Sequence, residues 1–285
     1  MSKTIEYKSV KPSGETTKLT IAPKVLVCYD AEELIRIANT ALQDPNIADS
    51  RLKDSTITSP GGPGGAFDGD SEGNIVKASL AYILLPIYEI LNILYYGKFK
   101  MSTEFSHKLP VELLGDEVED GEEKQPRESV LRTDEIFVVS QGQPDAGKTI
   151  CVIEYKRRKL LRYKDWRKAM LPPDYTDKQY GRVMKDSQGK TRSALEQNAL
   201  SCTKQVAAYA SRTKCKHAAI LNWDHALFFE FNKLVGALKN SAGEEANLIW
   251  ATEDMEFKEK YVTHDFLRKV MLGWTLRAFK DRFGY

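Results

Sequence analysis

The sequence contains few residues of the types that build disulfide frameworks and zinc sites. Its 285 residues include four cysteines and four histidines, which are scattered along the chain. No Cys-Cys or Cys-His pair stands at a spacing typical of zinc ligands. We therefore expect free thiols in a reducing compartment, and we expect neither a disulfide scaffold nor a structural zinc site.

Long uninterrupted apolar runs are also missing. The opening stretch, MSKTIEYKSVKPSGE, has no apolar core of signal-peptide length, so we expect an intracellular protein of the cytoplasm or nucleus. The longest apolar run, from Leu80 to Tyr96, is interrupted by Pro86, Glu89 and Asn92. A buried amphipathic helix explains this run better than a membrane span does, and we expect no membrane partner.

The net charge of only +2 is the sum of two opposed blocks. An acidic block extends from Glu112 to Glu128, and a basic block extends from Lys156 to Lys168. The acidic block is typical of a solvated surface. The basic block contains Tyr163 and Trp166 and follows an apolar strand pattern, and positive charge with interleaved aromatic residues suits a polyanion.

Helix and strand patterns alternate along the chain, and the stretch SPGGPGGAFDGD divides them. We predict an N-terminal accessory segment of one strand and one helix over residues 1–58, a Gly/Pro-rich linker over 59–70 and a main domain over 71–285. Residues 174–192 are predicted to be a mobile connection. The order of helices and strand pairs predicts an α/β fold with a mixed β-sheet flanked by helices.

One stretch, GQPDAGKT from Gly142 to Thr149, fits the phosphate-binding pattern G-x-x-x-x-G-K-[ST] at every fixed position. A working P-loop lies between a strand and a helix. The residues after Thr149, ICVIEYK, are instead typical of a strand, and Pro144-Asp145 before Gly147 is typical of a turn. We therefore predict strand, turn, strand, which makes a P-loop NTPase the weakest of three functional hypotheses.

The second of these strands ends in Glu154 and Lys156, whose side chains leave the same face because strand side chains alternate. Such charges are costly to bury unless they have partners or a function. Asp134 opens the neighbouring strand, and an antiparallel hairpin would bring it beside this pair. Two carboxylates suit Mg²⁺ or Mn²⁺, and an ammonium can offset phosphate charge. The pattern favours metal-assisted phosphodiester hydrolysis, with a surface ion pair as the alternative.

The segments RTDEIFVVS and TICVIEYKRR, joined by a turn, resemble the PD-(D/E)XK superfamily of restriction-endonuclease-like nucleases, and in particular the PD-(D/E)XK-like proteins common in fungal genomes. The resemblance implies a restriction-endonuclease-like core in which Asp134 and Glu154 bind the metal and Lys156 is the catalytic lysine. It also implies Mg²⁺ or Mn²⁺ as cofactor and nucleic acid, with DNA favoured, as partner. Thr133 stands where the family has proline, and Asp145 is a second candidate for the motif aspartate.

Two further elements extend the resemblance over residues 70–235. The stretch SEGNIVKASLAYILLPI is similar to the family's first helix, where a glutamate near the start completes the metal site; Glu72 takes this place, with Glu89 as the alternative. The stretch KQVAAYA matches the Q-x-x-x-Y element of the RecB-like branch, which assigns Gln205 and Tyr209 to a phosphate or to the edge of the site. Further predicted nucleic-acid-binding residues are Arg157, Arg158 and Lys159.

Three functional hypotheses follow from these patterns. The leading one is a Mg²⁺- or Mn²⁺-dependent nuclease that acts on DNA. The second is a nuclease-fold module that binds nucleic acid or protein without cutting, and the third is the P-loop NTPase. A nuclease of this kind would suit genome defence, a mobile element, or an effector or toxin.

Overall fold

Eight strands join one mixed β-sheet in the computed structural model, which describes residues 20–48, 71–109, 129–188, 192–234, 243–251 and 264–284. The strands are β1 (Val25–Tyr29), β2 (Phe99–Leu109), β3 (Ser129–Val139), β4 (Thr149–Tyr155), β5 (Met170–Leu171), β6 (His217–Leu221), β7 (Ala226–Glu230) and β8 (Glu245–Trp250). The α-helices are α1 (Glu32–Leu42), α2 (Pro45–Ala48), α3 (Glu72–Ser79), α4 (Leu85–Leu94), α5 (Tyr163–Trp166), α6 (Asp177–Asp186), α7 (Gln197–Thr213) and α8 (His264–Phe283).

The strands lie in the order β2-β3-β4-β6-β7-β8-β1-β5. β2, β3 and β4 are antiparallel neighbours, whereas β4 pairs in parallel with β6. A parallel neighbour requires a crossover, and the chain makes it through the segment that contains α5, α6 and α7. The prediction of an α/β fold with a mixed sheet flanked by helices is confirmed.

Helices cover both faces of the sheet. α1, α3, α4 and α8 contribute to an apolar core on the face of Ile153 and Tyr155, and α5 and α7 contribute to a second core on the face of Ile136 and Val152. Because side chains alternate along β4, Glu154 leaves the sheet on the α7 side. The catalytic residues predicted on β3 and β4 are thus placed under α7.

β1 lies inside the sheet, between β8 and β5, and pairs in parallel with both. α1 crosses α8 so closely that a Cβ atom on Gly273 would lie 1.8 Å from the carbonyl oxygen of Leu34, which explains a glycine in the middle of α8. The predicted N-terminal strand and helix therefore pack with the residues after 71. The predicted linker and the acidic block lie outside the described residues, and the domain boundary stays a prediction.

The long helix predicted at the start of the main domain is present, but it is not α-helical throughout. A π-helical turn, Leu80–Leu84, joins α3 to α4. It ends two residues before Pro86, which has no N–H to donate to the Tyr82 carbonyl one turn earlier; Arg268 Nε donates to that carbonyl instead, at 2.7 Å. By length and apolar composition this helix could cross a membrane, but Ile83 and Ile87 are buried in the core.

The P-loop match forms a turn between two antiparallel strands, as predicted. Gly147 N–H donates to the Val139 carbonyl at 2.9 Å, which closes the reversal between β3 and β4. Lys148 forms an ion pair with Asp145 at 2.5 Å, and no helix follows Thr149, which opens β4. A P-loop places a helix N-terminus at this point, so the geometry of a phosphate cradle is missing from this stretch.

The prediction of a mobile connection over 174–192 is wrong for its central part, which forms α6. Thr176 and Gln179 make a capping box: the Thr176 hydroxyl accepts from the Gln179 N–H, and the Gln179 side chain accepts from the Thr176 N–H. The spacing T-x-x-Q was therefore a readable helix-start signal. β2 was also not predicted, although it pairs with β3 along its whole length.

Candidate active site

Asp134 and Glu154 lie on neighbouring antiparallel strands, close to where β4 ends. Glu135 pairs with Ile153 in the ladder, which brings Asp134 opposite the Glu154 end of β4. The Asp134 Oδ2 atom accepts a hydrogen bond from the Tyr155 N–H at 2.7 Å. The hairpin geometry predicted for these two carboxylates is thus present, and a backbone donor holds one of them in place.

The Glu154 carboxylate is buried, with 3% of the residue exposed. Its Oε1 atom accepts from the Lys156 ammonium and from Gln205 Nε2 at 2.6 Å. Its Oε2 atom has no hydrogen-bond partner among the described residues. A buried carboxylate oxygen without a partner is costly, and it is the kind of group to which a cation or a donor can bind.

Electrostatics around Glu154 leave its negative charge only partly compensated. Burial raises the pKa of Glu154, Lys156 lowers it and Asp134 raises it, with a net pKa of about 7. For Lys156, burial alone would lower the pKa, but Glu154, Cys202 and Glu72 raise it above its ordinary value. Lys156 therefore stays an ammonium at neutral pH, while Glu154 is balanced between its two protonation states.

Helix α7 brings the Q-x-x-x-Y pair onto the same carboxylate. Gln205 Nε2 donates both to Glu154 Oε1 and to the Tyr209 hydroxyl, the latter at 2.7 Å. Burial raises the pKa of Tyr209 well above its ordinary value, so this phenol stays protonated and can donate. Gln205 and Tyr209 thus contact the predicted metal ligand itself, and contact with a phosphate stays a prediction.

Glu72, in the first turn of α3, lies within electrostatic range of the same residues. Partial loss of water raises its pKa, Lys156 lowers it and Asp134 raises it. The alternative, Glu89, is an exposed residue of α4. The second candidate for the motif aspartate, Asp145, belongs to the turn before β4 and pairs with Lys148. The geometry therefore favours Glu72 and Asp134 over these two alternatives.

The residues fit a divalent cation only in part. Within the ranges that the structure describes, no group of three or more His, Cys, Asp and Glu side chains is arranged to hold a metal ion. Asp134 and Glu154 nevertheless raise the cost of each other's charge, and Glu154 Oε2 has no hydrogen-bond partner in the described part of the chain. Two carboxylates are sufficient for Mg²⁺, which keeps several waters and binds substrate phosphates.

Two functional candidates were missed from the sequence. Glu135, next to Asp134, is fully buried on the opposite face, and neither carboxylate oxygen has a partner among the described residues. Burial, together with Asp134, raises the pKa of Glu135 to about 8. Cys202, one turn before Gln205, is buried beside Lys156 and Glu154, and burial raises its thiol pKa to about 12. The adjacent letters D-E were the only sequence signal for Glu135.

The basic block divides into internal and exposed cations. Arg158 forms an ion pair with both carboxylate oxygens of the buried Asp224, with Nη2–Oδ1 and Nε–Oδ2 distances of 2.7 and 3.1 Å. This pair fixes the turn after β6 against the end of β4, so Arg158 is held in place before any nucleic acid binds. The exposed cations for which the described residues supply no acceptor are Lys159, Lys164 and Arg167. A polyanion would meet these three first.

The sequence matches no model of a known protein family, and it matches no curated protein.

Proposed function

We propose that the protein is a metal-dependent nuclease that hydrolyses phosphodiester bonds of nucleic acid, with DNA favoured. The observation that carries the proposal is the part-buried Asp134 beside the buried Glu154, whose charge is only partly compensated and whose Oε2 atom has no hydrogen-bond partner among the described residues. Natural proteins seldom keep such a cluster without a function. The order of elements, from the Glu72 helix through the two strands to the Q-x-x-x-Y helix and β6, also supports the resemblance to PD-(D/E)XK nucleases.

In this proposal Asp134 and Glu154 would hold Mg²⁺ or Mn²⁺, with Glu72 as a third carboxylate. Such a cation, when bound, supplies Lewis-acid polarisation of a phosphoryl oxygen. Gln205 orients the Glu154 carboxylate through a hydrogen bond to Oε1, and Tyr209 lies within hydrogen-bonding range of the same carboxylate. Lys156 Nζ stays protonated, so it donates hydrogen bonds that offset phosphate charge and orient a water molecule.

The proposed substrate follows from charge. Lys159, Lys164 and Arg167 are exposed on the segment that leaves β4 and passes through α5. Contacts from such side chains to phosphates position a nucleic acid without selecting a sequence. Binding should therefore weaken steeply as salt concentration rises, because each neutralised phosphate releases counterions.

The test measures cleavage of single- and double-stranded DNA and RNA with Mg²⁺, with Mn²⁺ and with a chelator. Wild-type protein should cut with either cation, Glu154→Ala should be inactive, and Lys148→Ala in the turn should keep full activity. If wild type and Glu154→Ala are equally inactive on every substrate, the protein is not a nuclease. Nucleotide binding by the wild-type protein that is abolished in Lys148→Ala would favour the NTPase instead.

A second candidate function is a module that binds nucleic acid without cutting it. It is favoured by the ion pair that already engages Glu154, and by the lack of a three-member metal-ligand group in the described part of the chain. Salt-sensitive DNA binding that is identical with and without millimolar Mg²⁺, and that is not followed by cleavage, would support this candidate over the nuclease.

A further inference from the structure

The chain leaves β4 beside the candidate active site and enters β5 at the far edge of the sheet. Four strands, β6, β7, β8 and β1, lie between β4 and β5. With a spacing of about 4.8 Å between neighbouring strands, the segment from Lys156 to Met170 spans about 24 Å. Leu160 and Trp166 of this segment pack in the core on the α7 side. The segment therefore crosses the same face of the sheet from which Glu154 emerges.

Exposed cations follow this crossing. Those that have no ion-pair partner in the described part of the chain are Lys159, Lys164 and Arg167. The next cation, Lys168, is paired with Glu196, and it also lies within electrostatic range of Asp186, the last residue of α6. The end of α6 therefore lies near the end of the basic segment, far from β4 and on the same side of the sheet.

Helix α6 adds a second group of cations to this surface. Its exposed cations, which form no ion pair with the described residues, are Lys178, Arg182 and Lys185. They stand at positions i, i+4 and i+7, so they share one face of the helix. Val183 is buried on the opposite face, in the core on the α7 side. Asp177 and Asp186 lie at the two ends of the helix, to the sides of the cationic face.

The aromatic residues of this region already pack against one another. Tyr163 and Trp166 both contact Trp250 edge-on, with ring centroids 5.4 and 5.5 Å away. Tyr180 stacks on Tyr175 at 5.8 Å, about half a turn of α6 away from the cations. Proteins hold unpaired bases by stacking them on free aromatic rings, and these rings are occupied. A duplex, whose bases are already stacked and whose phosphates face outwards, fits the surface better than a single strand does.

We propose that a cation track binds the phosphate backbone of duplex DNA on one side of the scissile phosphate. The track consists of Lys159, Lys164, Arg167, Lys178, Arg182 and Lys185. The inference rests on the proposed nuclease function, in which the scissile phosphate lies at Glu154. At a rise of about 3.4 Å per base pair, a crossing of about 24 Å corresponds to about seven base pairs. Phosphate contacts add affinity without selecting a sequence, so the protein holds its substrate over this length whatever the bases are.

The test measures binding of labelled, hairpin-closed DNA duplexes by fluorescence anisotropy, with Glu154→Ala protein in chelator so that no cleavage occurs. Affinity should rise steeply between duplexes of about 4 and about 10 base pairs and change little at about 20, because the longer duplexes cover the whole track. Lys178→Gln combined with Arg182→Gln should lower the affinity for the longest duplex about tenfold, and should reduce the slope of log affinity against log salt by about 2. The shortest duplex does not reach α6 and should bind equally to both proteins.

Lys269→Gln combined with Lys280→Gln is the matched control. It removes the same charge from exposed positions of α8, which packs on the other face of the sheet, and it should leave binding unchanged. Equal losses in the two double variants, or affinity that does not depend on duplex length, would overturn the cation track even if the wild type cleaves DNA. Tighter binding of single strands of equal length would also overturn it.

Two further outcomes separate the cation track from the nuclease and from a membrane surface. Length-dependent binding that requires Lys178 and Arg182, in a protein whose wild type cleaves no duplex, would support the track and overturn the nuclease. Sedimentation with phosphatidylserine vesicles that requires the same two residues, without binding of any duplex, would overturn the track and assign the surface to anionic lipid.

Discussion

Two carboxylate clusters lie at opposite ends of the central strands, and the fold shifts their carboxyl pKa values in opposite directions. At the end of β4, burial and Asp134 raise the pKa of Glu154 to about 7. At the start of β6, a hydrogen bond from His217 holds the pKa of Asp281 well below its ordinary value. Lys216 contributes to the same effect, because its ammonium lies 3.1 Å from Asp281.

This difference separates a cluster that stabilises the fold from one that costs stability. A lowered carboxyl pKa means that the charged form is favoured in the folded protein. The β6 cluster, which consists of Lys216, His217 and Asp281, therefore stabilises the packing of α8 on the sheet. Raised values mean that folding disfavours the charge of Glu154. The charge of buried Glu154 lowers the stability of the fold, so its presence indicates a functional role. A bound cation would offset this loss of stability.

The largest contrast is expected between two lysine variants. Lys156→Met removes the ammonium that pairs with the buried Glu154, so the free energy of unfolding should fall by about 3–5 kcal/mol above pH 7. Nuclease activity should fall by about 10³-fold. Lys216→Met leaves Glu230 with Arg277, and the loss of the half-exposed Lys216 ammonium should cost about 1 kcal/mol. Denaturant unfolding and cleavage rates check both values; equal losses in the two variants would contradict the comparison.

Glu135→Gln tests whether an unpartnered carboxylate behind the site costs stability. The folded-state pKa of about 8 lies above the ordinary value of 4.5. The stability contribution is therefore complete below pH 4.5, and it is lost as the pH rises through 8. In chelator-treated buffer the variant should match wild type at pH 4.5 and exceed it at pH 9, by on the order of 4 kcal/mol. A pH-independent difference in unfolding free energy would show that Glu135 is not the titrating group.

Divalent cations should stabilise one cluster and not the other. At about 100 times the dissociation constant, Mg²⁺ or Mn²⁺ should raise the free energy of unfolding by about 2.7 kcal/mol, because the folded state alone offers the site. Glu154→Gln and Asp134→Asn should lose this increment, whereas Asp281→Asn should keep it. Thermal unfolding at graded cation concentrations, with Ca²⁺ and Na⁺ as controls, measures the effect; an equal shift in all four proteins would place the cation elsewhere.

The parts of the site that could be predicted from the sequence are those that depend on local geometry. Strand alternation sets Glu154 and Lys156 on one face, a tight turn returns Asp134 beside them, and one helical turn aligns Gln205 with Tyr209. Long-range pairing was not readable in the same way. Asp224 forms an ion pair with Arg158, which is 66 residues away in the sequence. No local sequence pattern indicates which of several adjacent arginines will form such a pair.

Burial was the second feature that could not be predicted from the sequence, and Glu135 illustrates it. The sequence placed Glu135 near the start of a strand, where a glutamate is ordinarily solvated; it lies instead within β3, and packing on the Ile153 face removes water from it. The place of β1 between β8 and β5 was also beyond local signals, since strand order depends on which edges the finished sheet leaves open. α6 is a different case, because the capping box of Thr176 and Gln179 at its start could be read from the sequence.

The smallest expected effect concerns the stabilising cluster. The folded-state pKa of Asp281 is well below its ordinary value, so its contribution is complete above about pH 4 and is lost as the pH falls from there through the folded-state pKa. Asp281 is 40% exposed, and solvent screening limits the contribution to about 1 kcal/mol. Asp281→Asn should therefore lower the free energy of unfolding at pH 7, and its difference from wild type should shrink only as the pH falls below about 4 towards the lowered folded-state pKa, with cleavage unchanged. If this variant lost cleavage instead, the β6 cluster would belong to the functional machinery, and the division between the two regions would fail.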